Sequence, residues 1–189
     1  MRVLGVDPGT HRCGIGILDA EGNRYKLVDA EVIRAKSKQP IEERLYFIFE
    51  NLRRLIKEFK PDVISLESLF YAKDIQAVVR IGEARACAML AAQEVKIPIF
   101  EYAPTAVKQS VTGNGRATKE QVQLMVTKLL NLKDVPYADS ADALAIAICH
   151  LHNRRRITPS VVKDQRLMIN DRRHKSDKIK LLLSRTKKN

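Results

Sequence analysis

At 189 residues with 45% apolar side chains, the chain is long enough for one domain with a real core. Its most apolar run, ALAIAIC at 143–149, falls far short of the roughly 18 residues that span a bilayer. Three cysteines (Cys13, Cys87, Cys149) with no C-x-x-C spacing argue against a disulfide framework and against a cysteine zinc site.

The net charge of +12 is unevenly spread. Residues 151–189 hold 13 Lys/Arg against 3 Asp, whereas the first 150 residues are close to neutral. Such a tail has the composition of a polyanion-binding arm; the plainer reading is a solvated terminus that aids solubility. The opening MRVLGVDPGT reaches an aspartate and a Pro-Gly turn too early for a signal peptide. The expectation is a cytoplasmic protein in a reducing compartment, with no membrane partner. The apolar periodicity stops near residue 155, which divides the chain into a folded domain, 1–154, and a basic tail, 155–189.

Taken in order, residues 1–7 and 12–19 read as two apolar strands joined by the turn PGTHR. Residues 24–34 alternate and continue an antiparallel meander. From Pro40, the residues Ile41, Leu45, Ile48, Leu52, Leu55 and Ile56 recur at three- and four-residue steps, predicting a helix. Pro61 closes it before a buried strand in DVISLESLF. A helix rich in small residues is predicted over 74–94, then the strand IPIFEY, and a short helix from Pro104. TGNGRATK at 112–119 is a turn, with helices over 118–131 and 139–153. Three antiparallel strands followed by alternating helix and strand predict an α/β fold with a mixed sheet.

Four acidic residues stand where acids are least expected. Asp7 ends the first strand and Glu67 the fourth; Asp139 and Asp142, three apart, open a very apolar helix and share one face of it. Each has a plainer role: a turn-former at Asp7, a buried ion pair at Glu67, a helix cap or dipole partner at Asp139 and Asp142. Together, four carboxylates without a basic partner in their motifs would repel one another and resist ionisation. Hard divalent cations such as Mg²⁺ or Mn²⁺ relieve that repulsion. Two such ions can clamp a phosphodiester for in-line hydrolysis.

The segments GVDPGT, ISLESLF and ADSADALAIAICH, with YAPTAVKQSVTGNGRATKEQVQLMV ahead of the last, resemble the RuvC family of Holliday junction resolvases over about residues 1–154. The resemblance implies an RNase H-like fold, a mixed five-stranded sheet with helices on both faces. It also implies a homodimer that nicks two like-polarity strands of a four-way DNA junction in recombination and repair, using two Mg²⁺ ions per site, with Mn²⁺ also expected to work. By position, Asp7, Glu67, Asp139 and Asp142 are its catalytic and metal-binding set. Phe70 matches an aromatic suited to stacking on an unpaired base, worth about 1–3 kcal/mol, or else it closes the core. Lys108 and Lys119 match lysines implicated in DNA contact and catalysis, while Lys73 and Arg116 are further candidate phosphate contacts. A branch-migration motor of the RuvA-RuvB type is the implied partner. Where the family often has Gln-Ala-Arg-Gly, this chain has EARA at 83–86.

Three other readings remain at this stage. An actin-like ATPase or sugar kinase shares the D-x-G-T look, but it needs a second domain to close over its nucleotide. An RNase H-like nuclease acting on RNA–DNA hybrid would use the same acids. A non-catalytic DNA-binding protein would use only the tail.

Overall fold

The computed structural model describes residues 1–22, 24–68 and 74–154. Residues Met1–His152 form one compact unit. Phe70, Lys73 and the basic tail, 155–189, lie outside the described residues.

The elements follow the expected order: β1 (Arg2–Asp7), β2 (Arg12–Glu21), β3 (Arg24–Arg34), α1 (Ile41–Phe59), β4 (Val63–Glu67), α2 (Ile75–Glu94), β5 (Ile99–Tyr102), α3 (Pro104–Thr112), α4 (Lys119–Leu129) and α5 (Ala138–Asn153). The sheet order is β3-β2-β1-β4-β5. β1, β2 and β3 form the antiparallel meander, while β4 and β5 join in parallel on the other side of β1. This is the mixed α/β sheet that the alternation of elements predicts.

Period-two alternation sends the strand side chains to two cores. Leu4, Val6, Cys13, Ile15, Ile17, Ile64 and Leu66 meet the apolar stripes of α1 and α2 on one face. Val3, Leu18 and Val63 meet α3, α4 and α5 on the other. Helix α5 is buried from Ser140 to Leu151 except at half-buried Asp142, as befits a helix apolar on nearly every face. The α1 stripe buries Ile48, Leu52, Leu55 and Ile56.

Helix ends carry the expected stop and start signals. Asp74 caps α2 by accepting from the Ala77 N–H. Thr118 and Gln121 form a reciprocal capping box at α4. Gly113 ends α3 in the left-handed region that glycine adopts at no steric cost.

One glycine feature positions the site. Gly5 of β1 lies under α5, and a Cβ there would strike the Ala143 carbonyl and Ala147. At Gly14 of β2, a Cβ would strike the backbone of Asp139. The missing side chains let α5 lie directly on β1 and β2, so its first turn reaches the end of β1.

Candidate active site

Asp7 and Glu67 leave the sheet at the ends of two adjacent parallel strands, one step beyond the Val6–Leu66 pair. Alternation points both toward the α5 face: Ser65, two residues before Glu67, donates to the Ile146 carbonyl of α5 at 3.3 Å. Asp142 comes to the same place from the first turns of α5. Asp7, Glu67 and Asp142 line one pocket of about 140 Å³, with Lys108 of α3, Lys119 of α4 and the apolar wall of Val107, Val122 and Ile146.

The electrostatics of that pocket are those of crowded anions. Burial, followed by the charges of Asp142 and Glu67, pushes Asp7 up to about 7. Burial and then Asp142 raise Glu67 above the ordinary glutamate range. Asp142 is raised by burial, with Asp139 adding to the shift while Lys119 and Lys108 oppose it. The Lys119 ammonium stands 3.6 Å from Asp142 Oδ2 and is largely exposed, so it offsets only part of the repulsion.

Asp139 is placed differently. It lies in the first turn of α5, inside the helix rather than at its cap, and its Oδ2 is 2.7 Å from Arg12 Nε of β2. It is absent from the pocket lining. The Arg12 contact is one of charge and distance: Oδ2 is buried and has no aligned hydrogen-bond donor.

The donor set fits a hard divalent cation. It is made of three carboxylates, from β1, β4 and α5, facing two lysines, and burial and mutual repulsion raise all three above their ordinary range. Among the described residues no three acidic, histidine or cysteine groups converge on a single ready-made point. The carboxylates instead border an open cradle.

Comparison with known proteins decides the family. The model of the family described as "Crossover junction endodeoxyribonuclease RuvC" matches residues 3–150. The chain belongs to the RuvC family. The RuvC protein of Alkaliphilus oremlandii is 46% identical over 153 residues, covering 80% of this chain and 93% of that one. That of Citrifermentans bemidjiense is 44% identical over 153 residues, covering 81% and 93%. Among solved structures, Thermus thermophilus RuvC in complex with a Holliday junction substrate superposes with a TM-score of 0.78 at 33% identity, covering 82% of this chain and 95% of that one. The yeast mitochondrial Holliday junction resolvase Ydc2, at 15% identity and a TM-score of 0.57, shares the fold. The RNase H-like architecture of the family is therefore that of this chain.

The remaining sequence candidates separate cleanly. Lys108 and Lys119 reach the pocket. Arg116 is exposed in the turn between α3 and α4 and does not line it. Ala86, the last residue of the EARA departure from the RuvC pattern, is exposed on α2, so its methyl group disturbs no packing.

Sequence reasoning missed two partners of the site and the purpose of the glycines beneath it. Arg12 reaches Asp139. Arg85 of α2 reaches the end of β4. The bare glycines under α5 were legible as letters, but their purpose needed the β1–β2 register.

Proposed function

We propose that the chain is a Holliday junction resolvase: a divalent-metal-dependent endonuclease that nicks two like-polarity strands of a four-way DNA junction. The observation that carries this reading is the convergence of Asp7, Glu67 and Asp142 on one pocket, in a member of an endonuclease family.

Asp7, Glu67 and Asp142 would hold the cation, with Asp139 joining once Arg12 releases it. Two Mg²⁺ ions are the favoured complement, with Mn²⁺ as a substitute. When bound, such cations supply an activated water and stabilise the leaving oxygen. Lys119 and Lys108 stand where a scissile phosphate would enter, and their charge favours its approach over bulk solvent. Val107, Val122 and Ile146 form the apolar wall of the cradle beside the carboxylates. Phe70 and Lys73, just beyond Glu67 in sequence and outside the described residues, are proposed as DNA contacts, Phe70 by stacking at the crossover and Lys73 on a phosphate.

A homodimer completes the reading, because paired nicks need paired sites. It is supported by a stripe of exposed Ile75, Val79 and Leu90 on α2, with exposed Tyr46 and Phe47 on α1. These two helices pack together, so the exposed apolar groups lie on neighbouring elements. A motor complex of the RuvA-RuvB type is the proposed upstream partner, in the cytoplasm. Among the described residues no helix is long and apolar enough to cross a membrane.

The test compares four-way junction, RNA–DNA hybrid and plain duplex, each with Mg²⁺ and with EDTA. Symmetric nicking of the junction alone, lost in EDTA and in Asp142→Asn, is the expected result. Cleavage of the hybrid in preference to the junction would move the chain to the other RNase H-like activity.

A further inference from the structure

We infer that Arg85 is a positioning residue for Glu67, locking the end of β4 to β5 and to helix α2 so that the Glu67 carboxylate faces Asp7 and Asp142. The inference rests on Glu67 being a metal ligand.

Arg85 is 6% exposed, in the middle of α2. A guanidinium so buried must satisfy its donors within the protein. It does so with two groups from two strands. Nη1 donates to the backbone carbonyl of Glu67, and Nη2 donates to Glu101 Oε1 at 2.6 Å. Glu101 pairs with Leu66 in the β4–β5 ladder, and both side chains of that pair face away from α5. The guanidinium thus grips β4 and β5 from the face opposite the carboxylate pocket.

The grip falls on the last rung of the sheet. Glu67, the last residue of β4, pairs with Tyr102, and the final ladder bond joins the Ser68 N–H to the Tyr102 carbonyl. The carbonyl that Arg85 holds belongs to that same peptide, so the rung that sets the direction of the Glu67 carboxylate is fixed from β5 and from α2 together. A site holds its geometry only when the groups behind its ligands are themselves fixed. Arg85 supplies that support through the carbonyl of Glu67 itself. Because guanidinium is a planar fork, it can serve carbonyl and carboxylate together; an ammonium is a single point and serves one well.

The arrangement also joins two parts of the molecule. The same helix bears Ile75, Val79 and Leu90 on its exposed side and Arg85 on its buried side. A helix proposed to contact the second protomer therefore also steadies the strand end that carries Glu67.

The experiment uses full-length protein and three variants, Arg85→Lys, Arg85→Gln and Glu101→Ala, with Glu67→Gln alongside. Four quantities are read: Mn²⁺ affinity by titration calorimetry, Mg²⁺ dependence of single-turnover cleavage, junction binding in EDTA, and melting temperature. Loss of a group that orients a metal ligand weakens metal affinity about 10-fold or more. Arg85→Lys should fold, bind junctions normally in EDTA, and need about 10-fold more metal. Cleavage should recover as Mg²⁺ is raised. Glu101→Ala, which removes one exposed partner, should shift metal affinity the same way by a smaller factor.

Wild-type Mn²⁺ affinity in both Arg85→Lys and Glu101→Ala would overturn the inference, even with a lowered melting temperature, since Arg85 would then serve stability alone. The Glu67→Gln control separates the two levels of argument. If it binds Mn²⁺ and cleaves as the parent does, Glu67 is no ligand and the underlying reading fails. If it loses both while the Arg85 and Glu101 variants are unaffected, only the positioning role falls.

Discussion

Asp7 and Gly14 face each other across the β1–β2 ladder, and Gly14 is bare because the backbone of Asp139 occupies the place of its Cβ. One strand pair thus brings the carboxylate of β1 under the acidic first turn of α5. Gly14→Ala should force α5 away from the sheet, since the obstructing atoms are backbone and cannot rotate aside. Overpacking of this kind costs about 1–3 kcal/mol. The expected outcome is a lower melting temperature together with a loss of cleavage far larger than the loss of junction binding. An alanine variant that cleaves as well as the parent would mean that the seat of α5 is not critical.

Removing one of the crowded charges should stabilise the metal-free protein. Asp7 stands at about 7 in the folded chain, against an ordinary aspartate value near 3.8, chiefly because it is buried. Its ionised form is therefore disfavoured by folding. Stability is greatest below the unfolded value and falls as pH rises toward 7, where the penalty is complete. Asp7→Asn should raise stability in EDTA at pH 8 by something on the order of 3 kcal/mol. The gain should shrink as pH falls and be gone near pH 4. Cleavage should be abolished at every pH. A destabilised Asp7→Asn at pH 8 would point to a structural role for the ionised carboxylate.

The same proton should compete with the cation. Metal ions bind carboxylate and not carboxylic acid, so binding releases the proton that Asp7 holds near neutrality. At low Mg²⁺ the cleavage rate should climb between about pH 6 and pH 8. Raising Mg²⁺ should move the whole climb to lower pH. Rate profiles at two Mg²⁺ concentrations decide it; superposable profiles would mean that no pocket carboxylate titrates in this range.

Much of this architecture was readable from the chain because its signals are local. The periodicity of Ile48, Leu52 and Leu55 marked α1, Pro61 and Pro104 punctuated it, and glutamate at the end of an apolar strand announced Glu67 as unusual. The order of elements allowed β1 and β4 to be neighbours, and the sheet pairs them in parallel. What stayed hidden depends on long-range register. Arg12 and Asp139 are 127 positions apart, and their contact exists only because α5 crosses β2. Arg85 read as one charge in a small-residue helix, and nothing local said that its partners would be a carbonyl on β4 and a carboxylate on β5. Arg116 and Lys119 are three residues apart, and only the family resemblance, not their local sequence, set Lys119 ahead. The capping box at Thr118 starts α4 so that only Lys119 turns to the pocket.

The exposed stripe on α2 gives the dimer proposal a direct test. Ile75, Val79 and Leu90 are all more than half exposed, an unusual set on one helix of a chain this charged. Val79→Asp with Leu90→Asp should yield a monomer by sedimentation, with little change in melting temperature beyond that due to lost association. The monomer should nick junctions singly, not in symmetric pairs. A double variant that remains dimeric would place the interface elsewhere.

The tail should supply affinity and leave the chemistry alone. Residues 151–189 carry a net of +10, most of the charge of the chain, while the pocket carboxylates and lysines all precede residue 150. Each phosphate neutralised adds about 0.9 to the slope of log affinity against log salt on B-form DNA. Deleting residues 157–189 should therefore flatten that slope and weaken binding to junction and duplex alike. Preference for the junction should survive, since branched shape would be read by the nuclease core. At saturating enzyme and low salt, the cleavage rate should stay within about threefold of the full-length value, because long-range charge governs encounter and not the reacting geometry. A truncated chain that folds and binds junctions but does not cut them would place the tail in the catalytic apparatus.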